Sequence, residues 1–347
     1  MSDQTLNAVI AIVLGSGLSV LLLAPVAAVQ YRRDGRLGPG DLLVLVSAAV
    51  YGLALWTYTL LPLPAGDYRC VGRQTVPFAT IGEIDLARAV DLLRDPAFLQ
   101  VALNVALFVP LGFFVRLVLR RGVLVTTLLG FGISLAIECT QGTALWGLYP
   151  CPYRLLDVDD LIVNTFGAFV GGVLAAGLLR RHRPRVRPLP TRVSVGRRWT
   201  GMVCDGLFVL VAGAGVAIAW RAWQLYVVHR PVAEIDLEVQ TLLQWGVPAL
   251  IEAAAVLVAG RTVGDWVVAT RTVRGRRWPT AAARLVKLVT GVGGYLALLV
   301  ADLPGGALLP AGFVLASVLA VPWSRGRRGL SNAAAGLDLV VDSGRSD

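Results

Sequence analysis

Nine apolar runs recur along this sequence, at about 6–29, 42–63, 98–119, 123–145, 161–179, 202–227, 242–259, 281–300 and 307–321. The last is short. A bilayer core about 30 Å thick takes about 20 apolar residues of helix. Hydrocarbon offers the backbone no hydrogen-bond partners, so helices, whose bonds are internal, are the expected form. The runs predict an all-α fold: a polytopic transmembrane helix bundle of about nine spans. Composition agrees, since 56% of residues are hydrophobic and 16% charged, against about a quarter charged in a soluble domain. The opening Met1-Ser2-Asp3-Gln4 lacks the positive region of a secretory signal. The first run is therefore expected to stay in place as a helix.

Charge placement predicts orientation. Arginines follow every odd-numbered run: Arg32, Arg33 and Arg36 after the first, Arg116, Arg120 and Arg121 at the end of the third, and a dense series from Arg180 to Arg198 after the fifth. Arg261, Arg271, Arg274, Arg276 and Arg277 follow the seventh, and Arg325, Arg327 and Arg328 the ninth. The alternate loops are balanced or poor in arginine. Positively charged loops stay on the cytoplasmic side, so the N-terminus is expected outside and the C-terminus in the cytoplasm of a bacterial plasma membrane. The net charge of +10 is spread between apolar runs rather than gathered on one module, which argues against nucleic-acid binding. Membrane lipids are the expected partners, and the oligomeric state is not readable. The basic, proline-containing stretch 181–196 reads as a cytoplasmic linker between a five-span region, 1–180, and a four-span region, 197–347, that ends in a short tail.

Outside the spans, Ile84, Ala87, Val90 and Leu93 recur at helical spacing opposite Glu83, Asp91 and Arg94. They suggest a short amphipathic helix on the outer surface or against the protein's own loops. Cys70 and Cys151 both fall on the expected outer face, where an oxidising environment permits a bridge. Spacing alone leaves that bridge open, because it does not give the Cα separation. Cys139 and Cys204 lie in or beside spans and read as small apolar residues. His182 and His229 fall on opposite sides of the membrane, and no metal-ligand spacing is present. Neither a metal nor a cofactor is expected.

The polar exceptions within the first five spans are the informative residues. Asn104 lies in the third run, and Glu138 and Gln141 share one face of the fourth. The string Arg154-Leu155-Leu156-Asp157-Val158-Asp159-Asp160 leads into the fifth. Asp157, Asp160, Asn164 and Gly167 recur as one face of a helix. Given the orientation, Asn104, Glu138, Gln141, Arg154, Asp157, Asp160 and Asn164 should meet in an outward-facing pocket. A charge at mid-bilayer costs about 2.5–3.5 kcal/mol on insertion scales, so Glu138 needs a partner, and Arg154 is the nearest cation. Two readings stay open: a clasp locking three helices, or a site for a polar headgroup or envelope ligand. Glu138 with Asp157 or Asp160 would also suit acid–base work if their geometry allowed.

These residues resemble the VanZ-like family over about 45–180. The resemblance rests on Pro77-Phe78, the helix from Asn104 through Phe108 and Pro110 to Gly112, Glu138 with Gln141, and Arg154 through Asp157, Asp160 and Asn164 to Gly167. It implies an envelope role and, since the family takes its name from a protein linked to teicoplanin resistance, lowered glycopeptide binding or accumulation at the surface. It supplies no reaction. The second half, about 197–341, resembles an RDD-family membrane domain. Arg198 and Asp205 match its opening, and Gly260, Arg261, Thr262 and Gly264 match its internal signal. Ser331 and Asn332 stand where that family carries His and Asp, which puts any ion handling in doubt.

Three functions follow. The first is an envelope protein whose pocket binds a lipid headgroup, a wall precursor or a glycopeptide. The second is a transporter of an ion or small solute, which the buried acids favour, although no inverted repeat is evident. The third is an enzyme on a lipid-linked substrate, for which no nucleotide loop, nucleophile elbow or metal spacing is present. No catalytic residue is assigned.

Overall fold

A computed structural model describes residues 3–64, 66–84, 92–181, 190–273, 279–301 and 306–342. Four helices and a short strand open the chain: α1 (Asp3–Asp34), α2 (Pro39–Leu60), β1 (Arg73–Gln74), α3 (Ala79–Gly82) and α4 (Pro96–Leu119). Then come α5 (Val123–Gly142), α6 (Ala144–Gly147), β2 (Leu156–Asp157), α7 (Val158–Arg181) and α8 (Val195–Ala222). The remainder is α9 (Leu237–Ala254), α10 (Val263–Val267), β3 (Thr270–Val273), α11 (Thr280–Val289), α12 (Val292–Val300), α13 (Leu308–Trp323), α14 (Gly329–Ala334) and β4 (Asp338–Val341). Wider, π-helical turns extend α8 over Trp223–Val227 and α9 over Ala255–Ala259.

Among the described residues, seven helices are long and apolar enough to cross a membrane. They are Ala8–Asp34, Pro39–Leu60, Pro96–Leu119, Val123–Gly142, Val158–Arg180, Val195–Val227 and Leu237–Ala259. The bent pair α11 and α12 makes an eighth if it is one span. The protein is thus a multi-pass, all-α membrane protein, consistent with a bacterial plasma membrane, with seven or eight such helices where nine runs were read. Two local causes account for the difference. The run expected over 281–300 is broken at Thr290–Gly291 and bent by 41°. Gly291, Gly293 and Gly294 crowd that point, and glycine costs a helix about 1 kcal/mol each. The final run forms α13 with 16 residues, about 24 Å at 1.5 Å per residue, short of the roughly 30 Å core. Leu43, Leu103 and Leu124, on these helices, are 68%, 65% and 72% exposed, as suits helices surrounded by an apolar solvent.

The chain divides into two compact units: Met1–Ser19 with Leu42–Arg187, and Val20–Asp41 with Pro188–Asp347. The first unit is centred on α4, α5 and α7. Asp95 starts α4 by accepting from the amides of Ala97 (2.8 Å) and Phe98 (3.3 Å), with Pro96 in the first turn, where a missing N–H costs nothing. Small residues then let backbones touch, as is usual for helix packing in membranes. A Cβ on Gly112 would collide with the Ala168 carbonyl, and one on Gly171 with the Val109 carbonyl. Leu55, Phe108, Leu111 and Ala168 form the buried core there. Strands β1 and β2 pair in parallel, Arg73 with Leu156 and Gln74 with Asp157. The amphipathic helix read at 84–94 falls mostly on 85–91, outside the described residues, as does half of the basic stretch 181–196, at 182–189.

The second unit draws in the latter part of α1. Ala27 and Tyr31 pack with Cys204, Val267 and Val268. Arg197 lies over the Tyr31 ring at 4.8 Å and donates to the Gly35 carbonyl at 2.6 Å. Strands β3 and β4 pair antiparallel, from Thr270 with Val341 to Val273 with Asp338.

Candidate functional site

The polar residues of the first unit converge where α4 and α7 begin and α5 ends. Glu138, 4% exposed, accepts the amide of Asp157 at 3.0 Å. Asp157 is not on the α7 face that its spacing predicted, because it precedes the helix as part of β2. There it works as a cap: its Oδ1 accepts from the Asp159 amide at 2.9 Å and from the Gln74 side chain at 3.2 Å. Its Oδ2 accepts from the Thr80 hydroxyl at 2.8 Å. Acidic residues suit this place, where helix amides lack partners.

Asp159, inside the Arg154–Asp160 string but outside the expected pocket, has a carboxylate given over to three backbone amides. Its carboxylate, in a residue 1% exposed, accepts the amides of Phe78 (2.5 Å), Thr80 (2.8 Å) and Ile81 (3.2 Å). That grip holds Phe78 at φ 65° with the residue 62% exposed. Positive φ is strained for a residue with a bulky side chain. The 77–82 segment is therefore tied to the start of α7 by Asp157 and Asp159 together.

Asp160 differs from these three acids. It is half-buried, and its Oδ1 accepts from the Asn104 side chain at 2.5 Å and the Gln100 side chain at 3.4 Å. Both donors are neutral amides, and among the described residues no cation pairs with it. The remaining predicted residues serve as fasteners. Gln141 donates to the Thr59 carbonyl at 2.8 Å, and Asn164 donates to the Ser134 hydroxyl at 3.0 Å deeper along α5 and α7. Arg154 does not pair with Glu138; its guanidinium donates to the Leu61 carbonyl. Cys70 and Cys151 are joined in a disulfide with a Cα separation of 5.5 Å. Among the described residues no group of three or more His, Cys, Asp or Glu side chains could hold a metal.

A second polar cluster lies within the second unit and gathers the residues singled out in its sequence. Arg198 and Lys287, 6% and 2% exposed, flank Asp265 at 2.5 and 2.7 Å. Asp265 also closes a capping box with Thr262 at the start of α10. Asp205 accepts the Gly264 amide, Glu252 accepts the Val263 amide at 3.2 Å, and Gly260 offers its carbonyl to Lys287 at 3.1 Å. Arg261 is apart from this core, paired with Asp342 at 2.9 Å. Burial works to raise the Asp265 carboxyl, but Lys287 and then Arg198 outweigh it and hold the group well below the usual carboxylate range. Neither Asp265 nor Lys287 belongs to the sequence motifs of this half. Asp265 follows the quoted Gly264 directly, and Lys287 is the chain's single lysine.

Residues 48–180 match the family model described as VanZ/LLP1, a stretch running from within α2 to the end of α7. No curated protein and no solved structure matches the chain. The protein is thus a polytopic membrane protein that is similar to the VanZ/LLP1 family over residues 48–180.

Proposed function

We propose that the protein acts in the cell envelope and that the mouth formed by α4, α5 and α7 binds a polar envelope ligand, whether a lipid headgroup, a wall precursor or a glycopeptide. The observation that carries this reading is Asp160. Glu138, Asp157 and Asp159 are taken up in holding the protein's own backbone, whereas Asp160 keeps partial exposure with only neutral amide partners. A half-buried carboxylate beside Asn104 and Gln100 suits a ligand rich in donors, such as hydroxyls, amides or an ammonium group. With the N-terminus outside, as the arginine distribution favours, this mouth opens to the exterior. Lowered teicoplanin susceptibility is the finer consequence that the family resemblance implies.

The reading of 197–341 as an RDD-like module is a proposal of the same kind. It is supported by the meeting of Arg198, Asp205, Gly260, Thr262 and Gly264 about α10.

The test is teicoplanin and vancomycin susceptibility in a host lacking the protein, supplied with nothing, the wild type, or Asp160→Asn, with membrane levels measured by blot. The expected result is protection by the wild type alone. Protection by Asp160→Asn equal to wild type, at equal levels, removes Asp160 from the site. Identical susceptibility in all three strains removes the glycopeptide reading.

A further inference from the structure

The second unit holds a cavity of about 540 Å³ lined by residues of α8, α12 and α13, with the Arg198–Asp265–Lys287 group at its polar end. That size falls within the roughly 300–1,000 Å³ of small-molecule sites. Its walls are apolar, among them Met202, Val209, Leu210, Tyr295, Leu299 and Phe313. The polar and apolar parts are arranged along α8. Arg198 stands in the first turn of that helix, and Leu210 lies about 18 Å further along it at 1.5 Å per residue. One leaflet of a bilayer core is about 15 Å deep, half of about 30 Å. The lined face thus has about the length of an acyl chain in one leaflet, with its charged end in the first turn of α8.

A second observation points to an occupant. Arg198 is 6% exposed and lines the cavity, yet its Nε–H has no hydrogen-bond partner. A buried donor without an acceptor is costly, the more so on a charged group. Asp265 occupies only the Nη1 side of the guanidinium.

We propose that this cavity is a binding site for one membrane phospholipid, its acyl chain along the apolar face of α8 and a head oxygen, phosphodiester or ester, accepting from the Arg198 guanidinium. Apolar walls of this length favour a tailed ligand over a free phosphate. The site is independent of the mouth in the first unit.

Two measurements on the full chain test it. In the first, the wild-type protein is reconstituted in vesicles containing phosphatidylglycerol with a diazirine in its acyl chain, irradiated and digested. Adducts are expected on the α8 and α12 peptides that line the cavity. Adducts confined to outward-facing apolar residues overturn the site. In the second, lipid retained after detergent purification is counted by native mass spectrometry. A Cβ on Gly206, which lines the cavity, would meet nothing within 4 Å, so Gly206→Phe fills the space without a backbone clash. It is expected to lower retention at least tenfold, and Arg198→Lys, which keeps the charge but has no Nε–H, about tenfold. Added glycerol phosphate, the head without the tail, is expected not to displace the lipid; displacement by it would mean a phosphate site instead. Equal retention by wild type and Gly206→Phe overturns the proposal. Equal retention by Arg198→Lys overturns the head-group assignment.

Discussion

Replacing Asp159 by alanine isolates one interaction whose magnitude follows from the geometry. The substitution removes the acceptor for three backbone amides, those of Phe78, Thr80 and Ile81. A hydrogen bond to a charged group is worth about 1.5–3 kcal/mol net, but the three share one carboxylate and the freed amides can reach water. Release of the φ 65° strain at Phe78, of order 1–3 kcal/mol, offsets part of the loss. We therefore take about 2–3 kcal/mol for the whole set. At 1.4 kcal/mol per factor of ten, local opening of 78–81 becomes roughly 30- to 150-fold more frequent. Amide hydrogen exchange in detergent measures this directly on the peptide covering those residues. Asp160→Asn is the control, since Asp160 bonds to Asn104 and Gln100 and not to this segment. An unchanged exchange rate in folded Asp159→Ala would refute the claim that Asp159 holds the loop.

Two further predictions concern packing and charge. Gly112→Val forces α4 away from the Ala168 backbone and is expected to destabilise by about 1–3 kcal/mol, read as a lower melting temperature in detergent. Gly132→Ala, where a Cβ meets nothing within 4 Å, should not lower it. Lys287→Met leaves Asp265 with Arg198 alone, and breaking a buried pair costs about 3–5 kcal/mol; wild-type stability in Lys287→Met would show that the ion triad is dispensable. The pH dependence follows from the depressed Asp265 carboxyl. Its stabilisation is full above the unfolded value of about 3.9 and is lost only as pH falls through the lower folded value. Lys287→Met raises that folded value, so acid unfolding of the variant should begin at higher pH than in the wild type.

The membrane class and the positions of the first seven spans were legible in the sequence because an apolar run of some twenty residues has few alternatives. Helix ends were less legible. The fourth run was read through 145, yet α5 stops at Gly142 and Ala144, Leu145 and Trp146 all take positive φ, a turn that hydropathy does not encode. Helical periodicity grouped Asp157 with Asp160 and passed over Asp159. The helix begins one residue after Asp157, so Asp157 drops off the face implied by that spacing while Asp160, Asn164 and Gly167 remain on it. Arg154 was matched to Glu138 by charge alone, whereas the structure satisfies one with a carbonyl and the other with an amide. The role of Lys287 depends on the break between α11 and α12 and the fold of α10, which are tertiary features.

The assignment of Val20–Asp41 to the same unit as Pro188–Asp347 bears on how this protein can be dissected. The basic, proline-containing stretch near 188 is the obvious place to cut, and it marks where two sequence resemblances meet. A fragment starting there would lack Ala27 and Tyr31, leaving Cys204, Val268 and the Arg197 guanidinium without their packing and stacking partners. A fragment ending there would carry the latter part of α1 without Cys204, Val267 and Val268, which pack against it. Separate expression of the halves calls for a discontinuous design, in which the segment 20–41 travels with the C-terminal piece. In this protein the joint in the sequence and the joint in the fold lie at different places, and a swap of modules at the linker alone would carry an incomplete core into its new host.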